Sequence, residues 1–256
     1  MLSLSRKLLI CTALLFIFPT VSFAGDWFNV PKFEHEGYYM ELGVGHSFDD
    51  VGDTPLLDAS SQQDDGKNIN IGEGVVGDLR MGFRFKHINL GLTVSQRFKG
   101  ELRGDFHNGG AVTPTAWFEQ NVQSLRFTSD LEYFLTEFLG MKPYLGIGLG
   151  GARHELARLD IWRVSNRSWD TGLVNNVDYA FVWKVGAGIE YELKNAFKDN
   201  SFLNNWAVKV DYYYMDAGEA DSTGKEIVDT GGLRITKPFR YDMRSHEVIA
   251  LIRYNF

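Results

Sequence analysis

The sequence has almost no cysteine, no excess of basic residues and, after its first segment, no long apolar run. One cysteine occurs in 256 residues, which excludes a disulfide scaffold and a cysteine-ligated zinc site. Acidic residues outnumber basic residues by 33 to 26, which argues against a nucleic-acid partner. The chain is nevertheless 44% hydrophobic and 14% aromatic, so it has enough apolar surface to fold and is not a disordered protein.

The first 24 residues have the pattern of a secretory signal peptide. Arg6 and Lys7 supply its positive start, and residues 8–18 form an apolar stretch that is too short to span a bilayer. Small residues precede the expected cleavage site after Ala24. We therefore expect a signal peptide over residues 1–24 and one exported domain over residues 25–256. No later apolar run approaches the roughly 20 residues of a transmembrane helix.

Apolar and polar residues alternate with a period of two through most of the remaining chain. In residues 78–86 the odd positions are apolar, whereas the even positions carry charges or glycine. This period is typical of β-strands with two different faces. Eight such runs are visible, at 38–48, 78–86, 90–98, 124–133, 144–150, 179–192, 206–214 and 247–256.

The connections favour a membrane barrel over a soluble β-protein. Short or intermediate segments at 87–89, 135–142 and 194–205 alternate with long polar ones at 49–73, 103–116, 156–177 and 216–239. Aromatic residues gather at the ends of the apolar faces, as they do at membrane interfaces. The pattern predicts an all-β fold, an eight-stranded antiparallel up-and-down transmembrane β-barrel with four external loops. A soluble sandwich or a lipocalin-like barrel remains the alternative.

Charges of both signs recur on the face that would line the barrel. Eight strands enclose a lumen that side chains can fill, so we expect a paired network there and no wide pore. Glycines on the same face would make room for long side chains. The residues expected to point inward are Arg80, Arg84, Lys86, Arg126, Asp130, Glu132, Lys184, Glu190, Lys209, Asp211, Glu247 and Arg253.

Three runs carry a resemblance to a known family: Lys142–Gly150, Trp183–Tyr191 and Ile252–Phe256. They resemble the eight-stranded outer-membrane barrels of Gram-negative bacteria, the OmpA/OmpX-like and opacity-protein-like surface antigens. The resemblance implies the cell outer membrane as location and a monomer. It also implies that Tyr254 and Phe256 form the signal read by the barrel assembly machinery.

No group of residues predicts a catalytic, cofactor or metal site. Ser245, His246 and Glu247 are adjacent, but neighbouring strand residues point to opposite faces, so we interpret them as ordinary strand residues rather than a triad. His154 and Glu155 fail for the same reason. We therefore expect a protein that is not an enzyme and holds no cofactor.

Two long segments carry candidate surface contacts. One begins with a tripeptide that resembles an integrin-binding sequence, although three residues are a weak motif and chance occurrence is the favoured explanation. The other mixes arginine and tryptophan, which suits anionic sugars or phosphates, or else the lipopolysaccharide boundary. The residues are Arg103, Gly104 and Asp105 in the first segment, and Arg158, Trp162, Arg163, Arg167 and Trp169 in the second.

The expected function is that of a non-enzymatic outer-membrane surface protein. It would contribute to membrane integrity, or contact host and environmental surface ligands through its loops. Its partners would be outer-membrane lipid and lipopolysaccharide, with no nucleic acid. Two alternatives stay open: an outer-leaflet lipid-modifying enzyme of the lipid A acyl hydrolase type, and a narrow channel for small solutes.

Overall fold

The computed structural model describes residues 37–49, 64–85, 87–108, 116–163, 169–173, 176–197, 201–221, 227–228, 234–235 and 240–256. The predicted signal peptide lies outside these residues. Within the described part, no helix is long and apolar enough to cross a membrane. The two helices described are short 3-10 turns, Leu193–Asn195 and Ser201–Asn205, in the connection predicted to be of intermediate length.

Twelve strands are described, eight of them long and four short. In chain order they are β1 Gly37–Asp49, β2 Asp64–Ile71, β3 Gly74–Arg84, β4 Ile88–Asn108, β5 Ala116–Phe134, β6 Met141–Arg163, β7 Trp169–Leu173, β8 Asn176–Glu192, β9 Trp206–Asp221, β10 Ile227–Val228, β11 Arg234–Ile235 and β12 Arg240–Asn255.

The long strands pair antiparallel with their neighbours and close on themselves. The order around the wall is β1, β3, β4, β5, β6, β8, β9 and β12. The first and last strands complete the circle, with register from Tyr39↔Asn255 to Asp49↔Ser245. The fold is therefore the predicted eight-stranded up-and-down β-barrel. Six of the eight predicted runs lie within its strands, and the runs 78–86 and 247–256 extend past the ends of β3 at Arg84 and β12 at Asn255.

The two faces of the wall follow the alternation in the sequence. On β1, Leu42 is 68% exposed on the outside, whereas Glu41 is 1% exposed in the lumen. The same inversion holds around the barrel, with an apolar outer belt and buried charges inside. A water-soluble sandwich or lipocalin-like barrel would bury its apolar face. The exposed belt thus contradicts the soluble alternative.

Parts of the segments predicted to be long loops are strands. The strand β4 continues to Asn108 and β6 continues to Arg163, while β2 and β7 pair with these extensions. The prediction of loops was wrong for these segments, because the apolar side chains of each strand lie on the outer face within the belt and on the inner face beyond it. Beyond the belt the outer face carries polar residues, and the inner face buries apolar side chains such as Leu102 and Phe118.

Candidate functional site

The centre of the lumen is a cluster of buried ion pairs. The ammonium group of Lys209 donates hydrogen bonds to Glu41 at 3.0 Å and to Glu132 at 2.8 Å. The guanidinium of Arg253 pairs with Glu41 and lies 2.6 Å from Glu190. These five side chains come from five strands, so the cluster ties together opposite sides of the wall.

Further pairs extend the cluster along the barrel axis. Arg80 contacts Asp78 at 2.9 Å and Asp211 at 2.6 Å. Two additional pairs, Lys184–Asp130 at 2.9 Å and Arg126–Glu247 at 2.6 Å, lie nearby. Among the described residues, the lumen holds seven buried carboxylates and six buried cations. Arg84, whose side chain is 17% exposed, is a seventh cation. The carboxylates are Glu41, Asp78, Asp130, Glu132, Glu190, Asp211 and Glu247, and the buried cations are Arg80, Arg97, Arg126, Lys184, Lys209 and Arg253.

Tyrosines fill the space between the charges. The Tyr144 hydroxyl donates to Asp211, and the Tyr144 ring lies 4.5 Å from the Lys209 ammonium. Such rings attract cations that have lost water. A Cβ placed on Gly188 would lie 2.4 Å from the Tyr144 ring, so this glycine makes room for the tyrosine as predicted.

Eleven of the twelve residues expected in the lumen are confirmed there, and Lys86 lies outside the described residues. Glu41, Asp78 and Arg97 were not among the predicted lumen residues. All three occupy inner positions of the alternating runs, so the same pattern could have found them. The cluster leaves its charges paired and desolvated, which suits a sealed lumen and not a water-filled channel.

A Ser–His pair lies in the lumen above the charges. Ser124 on β5 and His154 on β6 are opposite each other in the ladder, and their Oγ and Nδ1 atoms are 2.7 Å apart. The other ring nitrogen, Nε2, lies 2.9 Å from the carbonyl oxygen of Ala217. A carbonyl oxygen can only accept a hydrogen bond, so Nε2 carries the proton and donates to Ala217. Nδ1 is then unprotonated and accepts the hydrogen bond of the Ser124 hydroxyl.

This pair was missed because its members are 30 residues apart in sequence and only the strand register joins them. In nucleophilic catalysis by serine, a neutral histidine accepts a hydrogen bond from the serine hydroxyl and then takes its proton. Here the two side chains are almost inaccessible, at 2% for Ser124 and 0% for His154. Glu155 points to the opposite face, where it pairs with Arg153, as expected from strand geometry.

The Ser245, His246 and Glu247 trio is divided between the two faces, as predicted. Ser245 and Glu247 are buried in the lumen, whereas His246 is on the outer face beside Tyr212, 2.7 Å from its hydroxyl. Among the described residues, no three His, Cys, Asp or Glu side chains are grouped as metal ligands.

The Arg103-Gly104-Asp105 tripeptide lies in a strand and not in a loop, which corrects the prediction. It belongs to the extension of β4 and is paired on one side with β2 and on the other with β5. The Arg103 side chain is exposed and contacts Glu101 at 2.9 Å. A hydrogen bond to Glu101 also raises the pKa of Glu119 on the neighbouring strand.

The arginine and tryptophan segment is only partly described. Trp162 lies in β6 and stacks on Trp117, with ring centroids 5.2 Å apart. Trp162 and Trp169 are directly opposite each other in the β6–β7 pairing. Arg158 and Arg163 belong to β6, but their side chains are outside the described set. Arg167 lies outside the described residues altogether.

The chain end forms an aromatic group at the rim opposite the strand extensions. The Tyr254 ring is 5.1 Å from Trp206 and 5.0 Å from Phe256. Phe256 is 72% exposed, and its backbone N–H donates to Tyr38. Phe256 is exposed and Tyr254 is half-buried between the two neighbouring rings. The role of both residues as a signal for the assembly machinery stays a prediction.

No family model matches the sequence, and no curated protein does. Among solved structures, the chain is similar to Neisserial surface protein A, with 16% identity over 87% of this chain and 100% of the other at a TM-score of 0.40. It is also similar to the outer-membrane protein OprG of Pseudomonas aeruginosa, with 13% identity over 86% of this chain and 96% of the other, at a TM-score of 0.49. A third similar structure is the outer-membrane protease OmpT of Escherichia coli, with 10% identity over 88% of this chain and 98% of the other, at a TM-score of 0.42.

These likenesses are distant, so the fold is assigned from the strand pairing of this chain itself.

Proposed function

We propose that this protein is a non-enzymatic, monomeric barrel of the Gram-negative outer membrane that acts at the cell surface. The observation that supports the proposal is an apolar belt around a lumen filled by paired charges. Such a belt needs lipid around it, and a closed barrel leaves no unpaired strand edge in lipid. The signal peptide supplies the route of export, with cleavage after Ala24.

The role in the membrane is mechanical support and contact with surface molecules. The strand extensions of β4, β5 and β6 project a rigid wall beyond the belt. Arg103, which is exposed, and the stacked Trp117 and Trp162 lie on these extensions, and such side chains suit the phosphates and sugars of lipopolysaccharide, or a host or environmental ligand. We expect replacement of Arg158, Arg163 and Arg167 by glutamine to weaken binding to lipopolysaccharide vesicles without changing the fold.

Two experiments test the proposal. The full-length chain is expressed in a Gram-negative host, and outer-membrane fractions are run on gels with and without boiling. A shift between the two bands supports a folded barrel, whereas an unshifted periplasmic band contradicts it. Planar bilayers then test the sealed lumen: the purified protein should show no steady conductance, and a persistent open level would favour the narrow channel.

One observation favours a second function, the acyl hydrolase. The Ser124–His154 contact allows the serine oxygen to bond to an ester carbonyl carbon while its proton passes to Nδ1. The ester C–O bond then breaks as Nδ1 returns this proton to the departing alcohol, and water hydrolyses the acyl-serine by the same route. Its test is labelling by a fluorophosphonate probe in detergent, with Ser124→Ala as control. Label that is lost in the control would support the enzyme, and equal, background label would support the non-enzymatic proposal.

A further inference from the structure

Two tryptophan side chains stack on the outer face of the barrel wall, beyond its apolar belt. Trp117 on β5 and Trp162 on β6 are directly opposite each other in the ladder, and their rings are nearly parallel, at 10° with centroids 5.2 Å apart. Trp117 is nevertheless 39% exposed. The stacking holds both rings in one orientation, so a ligand that binds them has little of the protein to order. We name this pair the indole platform.

The indole platform is too far from the belt to be part of an aromatic girdle at the membrane interface. The next outward positions of β5 below Trp117 are Glu119, Asn121 and Gln123, and the first apolar one is Leu125, eight positions along the strand. A rise of about 3.3 Å per residue on a strand tilted by about 40° places Trp117 about 20 Å above Leu125. A headgroup region is only about 5–8 Å thick. A stacked indole pair that the bilayer does not cover is typical of a binding surface.

A row of charged side chains lies next to the platform on its membrane side. Arg103, Glu119 and Asp160 are in register on β4, β5 and β6. The Arg103 guanidinium lies 2.9 Å from Glu101 and 3.9 Å from Glu119. Asp105 on β4 is directly opposite the β5 member of the platform. Among the described side chains on this part of the outer face, four carboxylates therefore accompany one cation.

This combination of side chains fits an uncharged sugar ring. The C–H groups on one face of a hexose carry small positive charges and pack on the negative face of an indole ring. The hydroxyl groups of the sugar donate to carboxylates and accept from the Arg103 guanidinium. A phosphate would meet several carboxylates and one cation at the same place, so phosphorylated sugars are disfavoured there.

We propose that the indole platform binds uncharged hexoses of a lipopolysaccharide molecule embedded beside the barrel in the same membrane. The inference deepens the surface contact proposed above and rests on it. Outward side chains of the wall point away from the barrel axis, along the membrane plane. A molecule that reaches the platform from the side is therefore anchored in the same leaflet. At the height of the platform, a lipopolysaccharide presents its sugars and not its acyl chains.

The test uses full-length protein purified from outer membranes and held in phosphatidylcholine nanodiscs. Two probes are titrated, the hexose oligosaccharide released from lipopolysaccharide in its dephosphorylated form and in its phosphorylated form. Saturation-transfer NMR identifies the sugar C–H protons that contact the protein and gives the Kd of each probe. The variants are Trp117→Ala and Trp162→Ala. The matched control is Trp183→Ala, which removes an exposed tryptophan of the belt.

We expect the dephosphorylated probe to bind, and its affinity to fall about three- to tenfold in either platform variant, as for the loss of one aromatic stacking contact. The Trp183→Ala control should bind like the unaltered protein, and the phosphorylated probe should bind more weakly. The proposal is overturned by an absence of saturation transfer, by unchanged affinity in both platform variants, or by a phosphorylated probe that binds as tightly as the dephosphorylated one.

A second arm of the experiment identifies the source of the sugar. Lipopolysaccharide that carries its hexoses, incorporated in the same nanodisc, should occupy the platform and suppress the signal of the free probe. Deep-rough lipopolysaccharide, which lacks these hexoses, should leave the signal unchanged. Equal signals in the two nanodiscs would rule out lipopolysaccharide as the occupant and overturn the proposal.

Heat modifiability and binding to lipopolysaccharide vesicles are measured on each sample. A protein that keeps its heat-modifiable band and binds the vesicles but not the free probe would refute this inference alone. Loss of the band in the unaltered protein would refute the membrane barrel and the proposed function with it.

Discussion

The sealed lumen makes a quantitative prediction for Arg253→Met. The Arg253 side chain is 0% exposed and contacts Glu41, Glu132 and Glu190. Methionine fills much of the same volume but leaves these carboxylates short of one cation. Removing one partner of a buried ion pair costs about 3–5 kcal/mol, because the remaining charge stays desolvated. We expect a loss of this size in the free energy of unfolding.

The assay is urea unfolding of the barrel in phospholipid vesicles, followed by tryptophan fluorescence. Adding Glu190→Gln to the Arg253→Met variant should restore part of the loss, because it removes the carboxylate that Arg253 contacts at 2.6 Å. Arg103→Met serves as the control, since its side chain is 64% exposed and its removal should leave stability unchanged.

A loss below about 1 kcal/mol for Arg253→Met would refute the reasoning, since that is the range of solvated surface pairs. It would mean that water reaches the lumen charges and that the cluster does not seal the barrel. The narrow channel would then become the better interpretation.

Three other predictions follow from the wall and its ends. Leu42→Arg, in the lipid-facing belt, should lower stability by about 2–4 kcal/mol in the same urea assay, and no change would mean that this face does not meet lipid. Gly188→Leu should collide with Tyr144 and abolish the heat-modifiable band, whereas a normal band would show that the lumen has spare room. Deleting Phe256 should leave more unassembled chain in the periplasm during a pulse–chase experiment, and unchanged assembly would contradict the role of the chain end.

The strands were predictable because a barrel in lipid imposes two different faces. Each run had to place apolar residues outward and polar or small residues inward, and this produced the period of two that revealed Arg80 and Glu132 as lumen residues. The alternation did not predict the extensions of β4 and β6 as strands. Their outer face contacts water and therefore carries polar residues, so the apolar side chains are on the inner face.

The partners in the lumen were not predictable from one sequence. Lys209 and Glu41 are 168 positions apart and meet only because of the register around the closed wall. The same holds for Ser124 and His154, which are 30 positions apart and lie opposite each other only because of the β5–β6 register. Local patterns report which face a residue occupies, whereas contacts across a barrel depend on strand order and stagger.

The claim that this barrel spans a lipid bilayer is tested most directly by spin labels at successive positions of β9, placed one at a time in vesicles. Val208, Val210 and Tyr212 face outward, and Lys209 and Asp211 face the lumen. Outward labels should be accessible to oxygen dissolved in lipid and shielded from a water-soluble nickel complex, with a period of two along the strand. Outward labels that the nickel complex reaches freely would contradict a membrane-spanning barrel.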